Sequence, residues 1–269
     1  MTRIVLLMLA GMLVACGSTP APRLPQALEQ AQTVDKDARR ALRNGELLRA
    51  QYNFTKVLAL QQSLDDTAGA ATTLINLATV THQMHDDAAA LVWLDRILLE
   101  KAPLYPAEAR MTAAFRKAVI LTNMERPNEA EAALLLAEKQ CEKKCALHFG
   151  MDVLHARLLL LKGDAAGALA LAQSIAKEKK GAGKEEQANA VRVAAAAEEK
   201  LQHYANALQY YQSALETDKA LGLSARIGED LSGMARAAKL LGQLEDANLY
   251  ARRAELVNAS QRQNAPALQ

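Results

Sequence analysis

The residues best placed by type and spacing to do chemistry are Cys141 and Cys145, with His148 and His155 close behind them. Two cysteines and two histidines can hold a zinc ion, and in an oxidising compartment two nearby cysteines can close a disulfide. The gap between the cysteines is longer than that of a redox or haem-attachment motif. Three readings stay open at this point: a disulfide, a pair of free thiols, or a metal site. His82 and His85 stand beside Asp86 and Asp87 near an expected helix end, where such side chains complement the helix dipole. Glu185-Glu186 and Glu198-Glu199 are adjacent carboxylates, and adjacent residues do not face each other on a helix. Gly181-Ala182-Gly183-Lys184 is followed by Glu185, so it lacks the Lys-Ser or Lys-Thr pair of a phosphate-cradling loop. Nowhere do a nucleophile, a base and an orienting acid stand at readable spacing. No catalytic residue, no metal and no cofactor is expected.

The elements that must position any site are helices. The chain has 269 residues, of which 51% are hydrophobic and only 4% aromatic. Alanine and leucine therefore carry the apolar surface, as in close-packed helices. A net charge of +2 argues against a polybasic nucleic-acid binder. In Tyr204–Leu215 the residues Tyr204, Ala207, Leu208, Tyr211, Ala214 and Leu215 recur at three- and four-residue steps and share one stripe. The same shape returns at Ala90-Leu91, Ala133-Leu134 and Ala168-Leu169, and more weakly at Ala50-Gln51 and Ala247-Asn248. A turn residue stands five positions before most of these alanines: Gly45, Asn128, Gly163 and Gly242. Self-similarity at a period near 40 residues marks stacked repeats.

These residues resemble the tetratricopeptide repeat. Gly163-Asp164 before Ala168-Leu169 is similar to that family's inter-helix turn, and Tyr204, Ala207, Tyr211 and Ala214 match its second helix. The resemblance implies an all-α, right-handed α-solenoid of about six helix pairs over residues 27–262, with a flexible tail at 263–269. First helices are expected near 27–43, 66–84, 107–125, 147–162, 184–202 and 224–241. Second helices are expected near 46–63, 87–101, 128–141, 164–179, 204–220 and 243–262, with breaks at glycine, proline and Asx signals. Trp93, Tyr210 and Tyr211 read as packing between helices.

Residues 1–15 read as a cleaved signal: Arg3, then an apolar run from Ile4 to Ala15 that is too short to span a bilayer. The end of that run, Leu13-Val14-Ala15-Cys16, resembles a bacterial lipoprotein signal; the alternative is an ordinary signal with an incidental cysteine. The resemblance implies that Cys16 carries acyl chains and that, with Gly17 after it, the protein sits at the outer membrane facing the periplasm. Residues 16–26 hold Pro20, Pro22 and Pro25 and form the expected tether, which could extend roughly 30 Å.

In tetratricopeptide proteins the first helices line a concave face that grips a partner protein. The repeat register would aim Thr79, His82, Arg116, Arg157, Arg192, Arg236 and Lys239 toward it. Arginine forks bind carboxylates bidentately, so an acidic segment or a C-terminal carboxylate is the expected ligand. The expected function is a non-enzymatic, membrane-anchored scaffold for a periplasmic or outer-membrane protein. The alternatives are a cell-wall-active enzyme, which needs converging carboxylates in a pocket, and a metal- or small-molecule-binding lipoprotein, which needs Cys141, Cys145, His148 and His155 to converge.

Overall fold

The computed structural model describes residues 25–99, 104–141, 145–178 and 181–264. Cys16, most of the expected tether and the last residues of the tail lie outside them. The described residues form twelve helices: α1 (Gln26–Arg43), α2 (Leu47–Ser63), α3 (Thr67–Gln83), α4 (Asp87–Leu98), α5 (Ala107–Asn123), α6 (Pro127–Gln140), α7 (His148–Leu161), α8 (Ala165–Lys177), α9 (Lys184–Lys200), α10 (Tyr204–Leu221), α11 (Ser224–Leu240) and α12 (Leu244–Asn264). No strand occurs among the described residues, and none of the helices is long and apolar enough to cross a membrane. The fold is an all-α solenoid of six helix pairs.

Each pair is closed by the same turn. The first helix ends with a residue at positive φ: Gly45, His85, Glu125, Gly163, Gln202 or Gly242. The next amide then reaches back over the last helical turn, as in Glu46 N–H to the Ala41 carbonyl (2.9 Å) and His203 N–H to the Glu198 carbonyl (2.9 Å). This satisfies carbonyls that the helix end would leave open. Asp66, Asp86 and Asp164 begin α3, α4 and α8 by accepting the amide three residues on.

The turns reset the repeat register in the third pair. The sequence pattern points to Ala133 there, with Asn128 as its turn residue. In the structure Glu125 takes the positive φ, and Ala130 stands three residues after the start of α6, as Ala50, Ala90, Ala168, Ala207 and Ala247 do in their own helices. Ala130 is fully buried. Pro127 supplies the helix start, since a proline in the first turn lacks only an amide that the helix would leave unbonded. Ala133 lies on the same buried face one turn later.

Burial is continuous along the stack. One apolar cluster joins α1 to α5 through Phe54, Leu74, Leu77 and Leu94. The next joins α5 to α7 through Leu121, Leu134 and Leu154. Two more continue through Val153, Ile175 and Val193 and through Tyr211, Leu231 and Met234. Beyond the sequential contacts, α3 touches α5, α5 touches α7, α7 touches α9 and α9 touches α11. No two even-numbered helices approach comparably. The odd helices thus form the inner wall, and the even helices form the outer one.

The α6–α7 joint is the least intimate of the successive contacts, and Cys141 and Cys145 are joined across it in a disulfide with a Cα–Cα distance of 5.4 Å. Its loop is short, so it contributes less than the ~3 kcal/mol expected for a 15-residue loop, and it acts mainly on the geometry of the hand-over.

The turn chemistry is directly testable. A non-glycine residue in the left-handed region costs about 1 kcal/mol or more, so Glu125→Gly and Gln202→Gly should each raise stability by roughly that amount in thermal or denaturant unfolding. Gly163→Ala should lower it by a similar amount, and a Cβ there meets no neighbour, so that loss isolates the backbone cost.

Candidate partner-binding inner wall

The arginines picked out by the repeat register all lie on odd helices, and each reaches a neighbouring odd helix. Arg116 on α5 donates to Thr79 Oγ1 on α3 (3.0 Å). Arg157 on α7 donates to Asn123 Oδ1 on α5 (3.0 Å). Arg192 on α9 donates through Nε to Asp230 Oδ1 on α11 (2.7 Å). Arg236 on α11 donates to Glu199 Oε1 on α9 (3.2 Å). The inner wall is therefore laced from helix to helix by guanidinium groups.

Their partners divide the wall in two. Thr79 and Asn123 are neutral, and neither Arg116 nor Arg157 forms an ion pair with a described residue. Desolvation holds the half-buried Arg157 below the usual arginine range and acts in the same direction on Arg116, whose side chain is nonetheless exposed. At Arg157 the nearby Arg226 and Arg192 push the same way while Glu229 opposes. One turn before Thr79, the buried Nδ2 of Asn76 has no hydrogen-bond partner. At the C-terminal end the charges are already matched. Arg236 also donates to the Tyr211 hydroxyl (3.1 Å), which donates in turn to Glu199 (3.2 Å). Burial, then the Glu199 charge, pushes the Tyr211 phenol up to about 12.

Arg192 is the most heavily engaged of the arginines. Besides Asp230 it bonds Asp218 on α10 and Asn189 on its own helix (2.7 Å for the latter). Glu229 lies 3.9 Å from its Nε. Asp218 and Asp230 are both fully buried, and Asp230 Oδ2 has no partner. Burial, opposed by Arg192 and reinforced by Asp218, pushes the Asp230 carboxyl up to about 7. The two carboxylates do converge, but they are sealed behind Arg192. Nothing in the sequence reading anticipated this cluster. The available signal was an acid on each buried stripe, Asp218 four residues after Ala214 and Asp230 three after Ile227. A cavity of about 490 Å³ opens beside it, lined by Arg192, Tyr211, Glu229, Ser232, Arg236 and Asn258.

The remaining predicted positions are placed as follows. His82 ends α3 with its Nδ1 2.5 Å from Asp87 Oδ1, which ties α3 to α4. Lys239 is exposed near the end of α11 and forms no ion pair with a described residue. His148 lies 3.6 Å from Asp152. The disulfide leaves Cys141 and Cys145 no thiolate for a metal, and among the described residues no three His, Cys, Asp or Glu side chains cluster as ligands. Tyr210 accepts a hydrogen bond from Gln173 (3.0 Å), joining α10 to α8.

No protein-family model and no curated relative matches this sequence. Among solved structures the chain is similar to the apo form of RapI, at 14% identity and a TM-score of 0.73, covering 90% of this chain and 87% of that one. It is also similar to the TPR-like repeats of a putative kinesin light chain from Podosopora anserina, at 15% identity and a TM-score of 0.56, covering 74% of this chain and 99% of that one. At these identities the likeness establishes the tetratricopeptide-like fold.

Two substitutions test the buried cluster. Arg192→Ala strands two buried carboxylates and should cost about 3–5 kcal/mol of unfolding free energy. Asp230→Asn should behave in the opposite way. Its carboxyl is raised above the unfolded value, so its stabilising contribution is fully present below about pH 4 and is lost as pH rises to about 7. The stability of Asp230→Asn relative to wild type should therefore climb between those pH values, at up to about 1.4 kcal/mol per unit, and level off above them.

Proposed function

We propose that this protein is a non-enzymatic scaffold of the bacterial cell envelope. Acyl chains on Cys16 hold it at the outer membrane, facing the periplasm, and its inner wall grips an acidic segment of a periplasmic or outer-membrane protein. Pilus assembly, outer-membrane protein insertion and control of cell-wall enzymes are the processes such a part would serve. The observation that carries this reading is the pair Arg116 and Arg157. Both line the inner wall, Arg116 exposed and Arg157 half-buried, and among the described residues both donate only to neutral acceptors. A guanidinium in that state gains a charge-assisted, bidentate bond when a carboxylate arrives, and neither arginine has an ion pair with a described residue to give up first. The unpartnered Asn76 amide beside Thr79 adds a donor to the same stretch. Stacked repeats supply the extended concave surface for such a segment.

The neighbouring arginines take a different part. Arg192 and Arg236 already hold Asp218, Asp230 and Glu199, so reversing their charge would damage the fold and say little about a partner.

Crosslinking in the intact envelope, with identification of captured proteins, tests the proposal. Wild type should capture a reproducible partner. Arg116→Glu combined with Arg157→Glu should reduce that capture at least ten-fold while the helical signal is kept, and Cys16→Ser should release the protein from the outer-membrane fraction. Capture unchanged by the double variant removes the groove assignment. Retention of Cys16→Ser in the same fraction with unchanged mass removes the anchor, and hydrolysis of purified peptidoglycan by the wild type overturns the scaffold claim.

A further inference from the structure

The even-numbered helices play equivalent structural parts, yet their solvent faces differ in chemistry. Two and six residues after the repeat alanine, α2 presents Tyr52 and Lys56, and α4 presents Val92 and Arg96. Tyr52 is 61% exposed, Val92 62%, and Leu99 on the same face of α4 74%. Leu48 adds to the face of α2. At the same offsets α8 has Ala170 and Ser174, and α10 has Gln209 and Ser213. On α6 these offsets hold Ala132 and Leu136, and the exposed Leu135 and Lys139 complete an apolar and basic face there. The outer wall is thus apolar and basic over its first three pairs, small and polar over the next two, and apolar and basic again on α12, where the same offsets hold the exposed Leu249 and the half-buried Arg253, which lies over the Tyr250 ring.

On this face the cations of α2 and α4 meet aromatic rings and no carboxylate among the described residues. Lys56 lies over the Tyr52 ring at 4.3 Å and Arg96 over Trp93 at 5.2 Å. Neither these two nor Lys139 forms an ion pair with a described residue. Of the described acids nearby, Asp95 is engaged by Lys117, Asp87 by His82 and Glu131 by Lys162; Glu138 beside Lys139 is half-buried, and α2 contains no acidic residue. A shallow depression of about 470 Å³ lies among Val92, Asp95, Arg96 and Leu99. Large exposed apolar side chains grouped with unpaired cations mark an interaction surface, and the sign of the charge calls for an anionic one.

We propose that the outer face of α2 and α4, continued by α6, docks on an anionic lipid bilayer. Tyr52, Val92 and Leu99 enter the interface, and Lys56, Arg96 and Lys139 lie among the headgroups, the division of labour seen in interfacial amphipathic helices. Position favours a bilayer over a protein as the occupant. The face belongs to the first pairs, next to the segment that bears Cys16, and ten residues of extended chain reach roughly 30 Å, more than the ~27 Å length of α1. The inference rests on the anchored reading of Cys16. Docking by this face would hold the solenoid with its inner wall turned away from the lipid, open to a partner.

The test uses the chain beginning at Gly17, which keeps every described helix and lacks Cys16, so lipid binding is scored without any anchor. Cosedimentation with vesicles of phosphatidylethanolamine and phosphatidylglycerol should recover the protein, and vesicles of phosphatidylcholine alone should not. Lys56→Ser and Arg96→Ser should each weaken binding roughly five-fold, the worth of one cation at an anionic surface. Tyr52→Ser with Val92→Ser should weaken it at least ten-fold, and Gln209→Ser and Ser213→Ala should change nothing. All of these positions are exposed, and unchanged circular dichroism will show that the fold is kept. No recovery with the anionic vesicles, or recovery indifferent to the first four substitutions, overturns the proposal. So does a photo-crosslinker at position 92 that captures a protein and no lipid in the envelope. The anchor itself is judged separately by the fractionation of Cys16→Ser.

Discussion

Six alanines, Ala50, Ala90, Ala130, Ala168, Ala207 and Ala247, stand at the same point in each even helix, all are buried, and a side chain no larger than a methyl group lets a neighbouring helix approach closely. Close approach at that point sets which faces of the two helices meet, and so which residues remain for the next pair. A single pair cannot bury its stripe, so stacking is obligatory and the core becomes a continuous strip. The inner and outer walls follow from it: odd helices touch one another on one side, and even helices are splayed apart on the other. The same constraint acts where no side chain fits at all. A Cβ on Gly233 would stand 2.5 Å from the Tyr211 ring, so α11 can lie against α10 only with glycine there.

Once the helices are stacked, each polar residue on the inner wall faces one about a repeat away, which is why the arginines bridge pairs. Electrostatics then separates them by partner. At the C-terminal end guanidinium groups meet Asp218, Asp230 and Glu199 and stiffen the joint between α9, α10 and α11. In the middle, at Arg116 and Arg157, the described acceptors are a hydroxyl and an amide oxygen. Rigidity thus collects at one end and unmatched charge in the centre. A buried triad such as Arg192, Asp218 and Asp230 adds little net stability but is costly to break, in keeping with a role in fixing how the last repeats sit.

Much of this architecture was legible in the residues. Alanine, leucine and tyrosine at helical spacing, punctuated by Gly45, Gly163, Gly222 and Gly242, place the helix ends within a few residues of where they lie. The seventh helix is expected near 147–162 and spans His148–Leu161. At the non-glycine turns of His85 and Gln202 the helix ends still fall where the spacing puts them. At Glu125, which adopts positive φ with no signature in its residue type, the reading slips, and that is how Ala133 takes the place of Ala130. The inner-wall arginines are readable as positions but not as partners, because Asp230 lies 38 residues from Arg192 and Asn123 lies 34 from Arg157. Spacing within one helix says nothing about such bonds. The outer apolar face is hidden for a related reason: Val92 and Leu99 are indistinguishable from core residues until the helix face that is buried is known.

The central claim is that the inner wall at Arg116 and Arg157 is where a partner's acidic segment sits. Arginine-selective labelling read by mass spectrometry addresses it most directly, comparing purified protein with protein in its native envelope. Both arginines should be modified in the purified protein and protected in the envelope, while the exposed Arg252 on α12 is modified equally in both. Equal modification of Arg116 and Arg157 in the two samples would contradict it.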